Sequence, residues 1–594
     1  MNSKSITKLE DLPDELLLLI CRYLNIIEIL NGFSCLNARL SKTISEFSIK
    51  IDLNIIPLKL INRFLHEILP NISYNVRSLI YSDNFERFPI KLDMFNNLES
   101  IHFLNKFSED FLINTKEIKI DSVPVDIQID LIKNFFSSSQ YKNLKSLELL
   151  SYHGFTFSNI QLNKLIQIEN LKITLKNNVD LFELLYLLSY SIEQLNIHIL
   201  YNGPFKSLTK FSSPLKLTKL RYFHLKTTFE DSIQFKQLEK LIIDSFDFIQ
   251  YLSIETLTRD QNYIDGLQWE NFLKKLNYLK NFSFSIRYRF KINENDDQQI
   301  RENYLLNSFS TDFWLYQRKW FILFYSTYSN INQNDSTCFI KRKNYEKLFL
   351  HTIPYPYAFM DATIDINKTK STIDQYSTRD IYSNVRHLYY DGESIPIKLE
   401  CLKNLLDKFQ LINELKLDRL IIDYSSLLSN KINLRHLNKL TIYNTDEKIS
   451  INMNLFSLSS MYNLRYIRIP QICLSDNLQM PKQLETLILT ECRDINFDFI
   501  YKCENLRILK LFLNNFDRLL ENNGELIINI INTIYNNNNN IMETLQLMCH
   551  GVNQTKMKIF EKQFNLNNIK YLNAIYDGKS LTIQRSNLYF DQSS

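Results

Sequence analysis

Side chains able to do chemistry are present in this chain, but their spacing assembles no reaction centre. Nine histidines are dispersed along 594 residues, and none has Cys, Asp or Glu neighbours at the spacing a metal needs. The 8 cysteines are scattered without a CxxC pair, a pattern that fits reduced thiols inside a cell better than a disulfide frame. Only 8 glycines occur, which counts against a glycine-rich phosphate loop. HExxH, the nucleophile elbow and the kinase signature are absent as well. A triad assembled only by folding stays open to a sequence reading. The expectation is a chain with no catalytic residue, no metal and no cofactor.

Binding is the chemistry that remains. With 69 basic and 65 acidic residues the net charge is +4, too weak a field for nucleic acid as the main partner. Hydrophobic residues make up 45% and aromatic residues 13%, the composition of a folded chain. Its length allows about three or four average domains or one long repeat array. Lys341-Arg342-Lys343 is too short to be more than a solvated turn or a weak nuclear signal. The Asn536–Asn540 tract reads as a loop tip. "STDFWLYQRKWF", with Trp314 and Trp320, could wall an aromatic ligand site, although such density is more often core.

These residues need elements to position them, and the first candidate is "LEDLPDELLLLICRYLNIIEILNGFSCLNARL". Glu10, Asp11, Asp14 and Glu15 precede its apolar core where a secretion signal would carry positive charge. No window approaches the ~18 uninterrupted apolar residues that cross a bilayer, so no membrane is expected. Pro13 at the first turn and two carboxylates at the positive dipole end start a helix that runs to about Leu24. Leu16, Leu17, Ile20, Cys21 and Leu24 recur at three- and four-residue spacing. Ile26, Ile29, Leu30 and Phe33 make a second helical face, and Leu36, Leu40 and Ile44 a third. Three such short helices bury too little surface to stand alone. Either they pack on the rest of the chain or they dock another protein.

The segment resembles the F-box, the helical motif that docks a substrate adaptor onto the linker subunit of Skp–cullin–F-box ubiquitin ligases. The resemblance covers about residues 9–47 and rests on Leu12, Pro13, Glu15, Leu16, Ile20, Leu24, Ile29, Leu30, Phe33, Leu36 and Asn37. It implies that Leu12, Pro13, Glu15, Leu16, Ile20, Leu24, Ile29, Leu30 and Phe33 contact the linker subunit, with a cullin beyond it. Many F-boxes carry a Trp near the end, where this chain has "NARLSKTI".

After residue 70 one phrase returns: apolar, two variable, apolar, one variable, apolar. It occurs as "VRSLIY" at 76, "LESIHF" at 98, "LKSLEL" at 144, "IEQLNI" at 192, "LRYFHL" at 220 and "LEKLII" at 238. It resumes with "VRHLYY" at 385, "INELKL" at 412, "LNKLTI" at 437, "LRYIRI" at 464, "LETLIL" at 484, "LRILKL" at 506 and "METLQL" at 542. Most later steps lie in or near the roughly 20–29 residues of a leucine-rich repeat. Two phrases add the Cys or Asn that such repeats place after the strand, Cys492 and Asn514. The chain from 70 to 580 thus resembles irregular leucine-rich repeats of the kind joined to F-boxes. Helix-compatible stretches at 179–192 and 397–411 lie between the phrases and suit the convex side.

The expected fold class is therefore α/β: a three-helix F-box at 1–50, then a solenoid of parallel strands and outer helices. Repeats occupy 51–285 and 384–594, and residues 286–383 form a diverged or inserted aromatic-rich segment. A substrate protein would bind the concave face, where the variable strand positions ladder. In the C-terminal array the candidates are His387, Tyr389, Lys416, Tyr443, Tyr466, Arg468, Lys510 and Phe512, beside Glu414, Lys439, Thr441, Thr486, Ile488 and Ile508. The resemblance implies a non-catalytic ubiquitin-ligase adaptor, cytoplasmic or nuclear. The rival reading is a repeat scaffold whose N-terminal helices only cap the stack.

Overall fold

In the computed structural model, the described residues are 12–21, 29, 39, 50–53, 64–81, 95, 97–103, 115–121, 128, 143–157, 168–188, 191–201, 216–230, 233–291, 298–328, 345–362, 370–372, 381–391, 396–409, 411–418, 421–423, 434–443, 458, 461–470, 480–492, 503, 505–513, 544–549, 572–576 and 580–585. They form two compact units, residues 1–321 with 328–351, and residues 322–327 with 352–594.

In the repeated phrase, every second side chain is apolar, so an extended backbone sends the apolar ones to one face and the variable ones to the other. Leu147 and Leu149 are buried between part-exposed Ser146 and Glu148. Many of the strands are entered through the same tight turn, in which the first residue of the phrase donates its N–H to the carbonyl three positions earlier. Leu98 donates to Phe95, Leu220 to Leu217, Leu437 to Leu434, Leu464 to Met461 and Leu506 to Cys503. The first phrase residue is itself buried, as at Val76, Leu144, Ile192 and Leu220.

In the first unit, ten strands run parallel in chain order: β1 (Lys50–Asp52), β2 (Ser78–Tyr81), β3 (Ser100–Phe103), β4 (Glu117–Ile120), β5 (Ser146–Leu149), β6 (Asn170–Leu175), β7 (Gln194–Ile199), β8 (Tyr222–Thr227), β9 (Tyr251–Thr258) and β10 (Asn281–Lys291). Register keeps like with like: Leu147 pairs with Leu171, Leu171 with Leu195, and Leu195 with Phe223. One apolar column is thereby continuous from strand to strand.

Beyond β10 the parallel rule stops. β11 (Phe321–Tyr328) and β12 (Tyr345–Ile353) follow in the chain, and β12 pairs with β10 antiparallel, Ile286 opposite Leu350. The second unit repeats the parallel ladder with β13 (Phe359–Ala362), β15 (His387–Asp391), β17 (Glu414–Asp418), β19 (Lys439–Ile442), β20 (Tyr466–Pro470), β21 (Thr486–Cys492), β22 (Ile508–Leu513) and β23 (Thr544–Cys549). It closes with the antiparallel pair β24 (Leu572–Tyr576) and β25 (Ser580–Arg585). Three parallel residue pairs join β16 (Pro396–Lys398) to β18 (Ile421–Asp423) in a separate two-stranded sheet, and β14 (Lys370–Ser371) runs antiparallel to β11.

Helices are few. α1 (Asp14–Cys21) begins where the Pro13 carbonyl accepts the N–H groups of Leu16 and Leu17. α2 (Asn178–Leu187) starts in a capping box between Asn177 and Asp180, and α3 (Phe235–Ser245) buries Phe235, Leu238, Leu241, Ile242 and Ser245. α4 (Gly266–Leu273), α5 (Gln298–Ser308) and α6 (Leu399–Leu406) complete those used below. α2 and α6 lie within the two stretches expected to be helical.

One phrase departs from its reading. "LEKLII" at 238 belongs to α3, because Leu238, Leu241 and Ile242 fit a helical face as well as they fit a strand. Several strands were not anticipated: β1, β4, β6, β9 and β10. β6, β9 and β10 carry the full phrase, as in Ile168-x-x-Leu171-x-Ile173, and β4 carries it with Thr115 at the first position, as Thr115-x-x-Ile118-x-Ile120.

The aromatic segment is core. Trp314 is fully buried, its ring 5.0 Å from Phe309 and 5.5 Å from Phe313, and its indole N–H reaches the Gly266 carbonyl at 3.3 Å. Trp269 of α4 stacks on Phe284 at 5.6 Å and donates to the Tyr263 carbonyl at 2.8 Å. Both indole N–H groups are satisfied internally, and Trp320, half-buried, packs its ring 6.3 Å from that of Trp314.

Candidate functional site

Two surfaces carry the residues picked out by sequence. The first is α1. Leu16 and Leu19, three positions apart on one helical face, stay 46% and 45% exposed, whereas Leu17 is 2% exposed. Pro13 and Glu15 are exposed and Leu12 is half-buried; Ile20 lies on the same helix. Ile29 is helical and 3% exposed. Leu24, Leu30 and Phe33 lie outside the described residues, as do most of the residues expected to form a second and a third helix. Arg39 holds the start of α1: its guanidinium stands 3.2 Å from the Asp14 carboxylate and donates to the Leu12 carbonyl. It sits in the "NARLSKTI" stretch. Both partners are about half exposed, so the pair adds little stability and mainly fixes orientation.

The second surface is the open face of the second unit's sheet. Strand register lays its variable residues in two rows. The first runs His387, Glu414, Lys439, Tyr466, Thr486, Ile508, and the second runs Tyr389, Lys416, Thr441, Arg468, Ile488, Lys510. All eight candidates of this array thus share one face, with Tyr443 and Phe512 one step further along their chains.

Glu414 is the hub of one end. Its carboxylate lies 3.1 Å from His387 Nδ1, 3.3 Å from Lys416 Nζ and 3.0 Å from Lys439 Nζ. Burial works to raise its pKa, but hydrogen bonds from Lys439 and His387 and the charges of Lys439 and Lys416 together hold it below the ordinary value. Lys439 also stands 4.8 Å from the centre of the Tyr466 ring. The Tyr389 hydroxyl donates to Asp418 at 2.7 Å, a partner the sequence reading did not name.

Arg468 is the hub of the other end. Its guanidinium carbon is 5.1 Å from the Tyr443 ring and 5.4 Å from the Phe512 ring. Two expected contact residues are corrected here: Thr441 is 1% and Ile488 7% exposed. Both are short and stand in register on either side of Arg468, whose side chain is long enough to cover them.

The first unit has a comparable face, missed because only the C-terminal phrases were searched for contact residues. Alternate positions of the phrases at 98, 144, 192 and 220 would have named much of it. His102 lies 2.7 Å from Asp121, and Lys119 stands between Asp121 at 3.7 Å and Glu148 at 3.6 Å. Lys172 meets Glu148 at 2.6 Å, and Lys226 meets the buried Glu255 at 2.9 Å. His198 and His224 sit in the same face. Burial, helped by the nearby Lys226, pushes each imidazole down to about 4.

None of this constitutes a reaction centre among the described residues. No group of three or more His, Cys, Asp or Glu there could hold a metal. The Cys503 thiol is buried, which pushes it up to about 12 and keeps it protonated and unreactive. Among those residues no helix is long and apolar enough to cross a membrane. Comparison of the chain with models of known protein families and with curated proteins found no match.

Proposed function

We propose that the chain is a substrate-holding adaptor of a Skp–cullin–F-box ubiquitin ligase. Its N-terminal helices dock on the linker subunit, and its parallel ladders hold the substrate protein while partner subunits transfer ubiquitin. The chain itself contributes proximity, raising the effective concentration of substrate at the transfer site. The observation that carries this reading is the exposed pair on α1 of Leu16, which ends the Leu-Pro-x-Glu-Leu opening, and Leu19, one turn beyond it. Two leucines left half in water on one short helix form an apolar strip suited to a partner. Covering such surface releases about 25 cal/mol per Å².

The test is a pull-down of the full chain with the linker subunit. Leu16→Ala/Leu19→Ala and Leu12→Ala/Pro13→Ala should each lose the linker, and unchanged capture by both double variants would overturn the reading.

A capping role is supported by a separate observation, the burial of Leu17 and Ile29. Deleting residues 1–48 separates the two. A pure cap would leave the first strand's apolar edge bare and lower the melting temperature of the remainder, whereas a docking module would leave it unchanged.

A further inference from the structure

Charge on the open face of the second unit is balanced at one end and unbalanced at the other. Glu414 answers His387, Lys416 and Lys439. Asp418 is taken by Tyr389, and Glu485 by Arg465 at 2.7 Å. Arg468 and Lys510 have no carboxylate within ion-pair reach among the described residues, although they share one row with only Ile488 between them.

Arg468 is also held in place. Tyr443 follows β19 on one side of its strand, and Phe512 belongs to β22 on the other, so the two rings flank the guanidinium. Rings of this kind fix the plane and exclude water but offer no hydrogen-bond acceptor. The Arg468 Nε is buried and has no hydrogen-bond partner. A buried donor left unmade costs roughly 1–3 kcal/mol, and more where the group is charged. Lys510 is half-buried beside it, and burial together with the Arg468 charge lowers its pKa. Two cations drawn out of water, one with an idle donor, describe a site that an oxyanion completes.

We propose that Arg468 and Lys510, walled by Tyr443 and Phe512, bind an acidic side chain of an extended peptide, its carboxylate or phosphate oxygens bridging the two cations. This deepens the adaptor reading and rests on it for the peptide's source, the substrate protein. A peptide suits the open face better than nucleic acid does, because among the described residues of this face Arg468 and Lys510 are two cations without a carboxylate, whereas Lys416 and Lys439 share Glu414.

The test is fluorescence anisotropy on the full chain with four labelled twelve-residue probes. They are an oligo-glutamate peptide, a phosphoserine-containing peptide of neutral flanks, an oligo-glutamine peptide and a uridine oligonucleotide. Binding of either acidic peptide, with the glutamine peptide at least tenfold weaker, is expected. Which of the two binds tighter identifies the oxyanion. R468Q and K510Q should each lower the affinity about tenfold or more, and R468K should lose part of it by removing the planar fork. K172Q, on the first unit, should change nothing.

Equal binding of the glutamine peptide, tighter binding of the oligonucleotide, or undiminished binding by R468Q/K510Q with an unchanged melting temperature would overturn the site. The Leu16→Ala/Leu19→Ala variant keeps the two readings distinguishable. It should bind the acidic peptide normally, so a failed pull-down arm leaves this assay standing, and a failed peptide arm leaves the docking surface standing.

Discussion

The carboxylate of Asp180, at the start of α2, accepts the backbone N–H of Phe157 at 2.8 Å and the Thr156 hydroxyl at 2.9 Å. Its other oxygen accepts the Asn177 N–H at 3.3 Å, so one buried side chain both caps a helix and pins the segment that precedes it. Asp180→Ala would strand these donors and should cost about 2–4 kcal/mol. Urea unfolding followed by hydrogen exchange at β6 and α2 measures it; a loss below about 1 kcal/mol would show the carboxylate to be dispensable.

Gly154 adjoins that segment with φ of +70°, and a Cβ there would come within 2.5 Å of the Lys176 backbone nitrogen. Gly154→Ala should therefore cost about 2 kcal/mol or more, through both the left-handed backbone and the clash. The bridge between Phe155 and Leu175 should open first. Faster exchange of the Phe155 and Lys176 amides than of the β7 amides would report it.

The neutral histidines of the first unit make it acid-sensitive. In the folded chain His198 and His224 take a proton only near pH 4, whereas unfolded imidazole takes one below about 6.5. The unfolded state binds more protons throughout that window, so stability is full above 6.5 and falls as the pH drops towards 4. The loss is about 2 kcal/mol for each histidine by pH 5. Exchange of the β7 and β8 amides at pH 7 and pH 5, corrected for intrinsic rate, should show it. His198→Gln/His224→Gln should flatten the difference, and an equal difference in that variant would assign it elsewhere.

Glu414 gives the second unit the corresponding carboxylate dependence. Its pKa is depressed, so its contribution is present above the ordinary carboxylate range and lost as the pH falls through the folded value. Glu414→Gln should cost about 1 kcal/mol at pH 7 and nothing once the folded carboxylate is protonated. Its two lysines carry 32% and 39% side-chain exposure, so 0.5 M salt should shrink the loss. A salt-insensitive loss would indicate packing instead.

The apolar skeleton was legible in the sequence because it obeys a period. Every quoted phrase but one enters a strand, since Leu, Ile and Val at alternate positions leave an extended chain few other ways to bury them. The exception, Leu238 to Ile242, shows the limit: five residues cannot tell a period of two from one of 3.6 when the apolar letters satisfy both. β4 escaped because Thr115 stands where the phrase has an apolar residue.

Candidate contact residues were legible as a row, but their pairing was not. Which cation meets Glu414 and which meets nothing depends on register between strands some 25 residues apart, which no local pattern carries. The same holds for Thr441 and Ile488, which are buried beside Arg468 in the register of the strand between them.

The turn that opens many of the strands sets a further property of the chain. Strands begin at Ser78, Ser100, Glu117 and Ser146, at uneven intervals, yet they pair residue for residue. The turns at Ser73–Val76 and Phe95–Leu98, which open the first two of these strands, set alignment locally, so it is not counted along the backbone. Inserted or deleted residues between one strand and the next turn leave the following rows undisturbed. Such a chain can diverge by length as freely as by letter, retaining its ladder while its sequence period blurs.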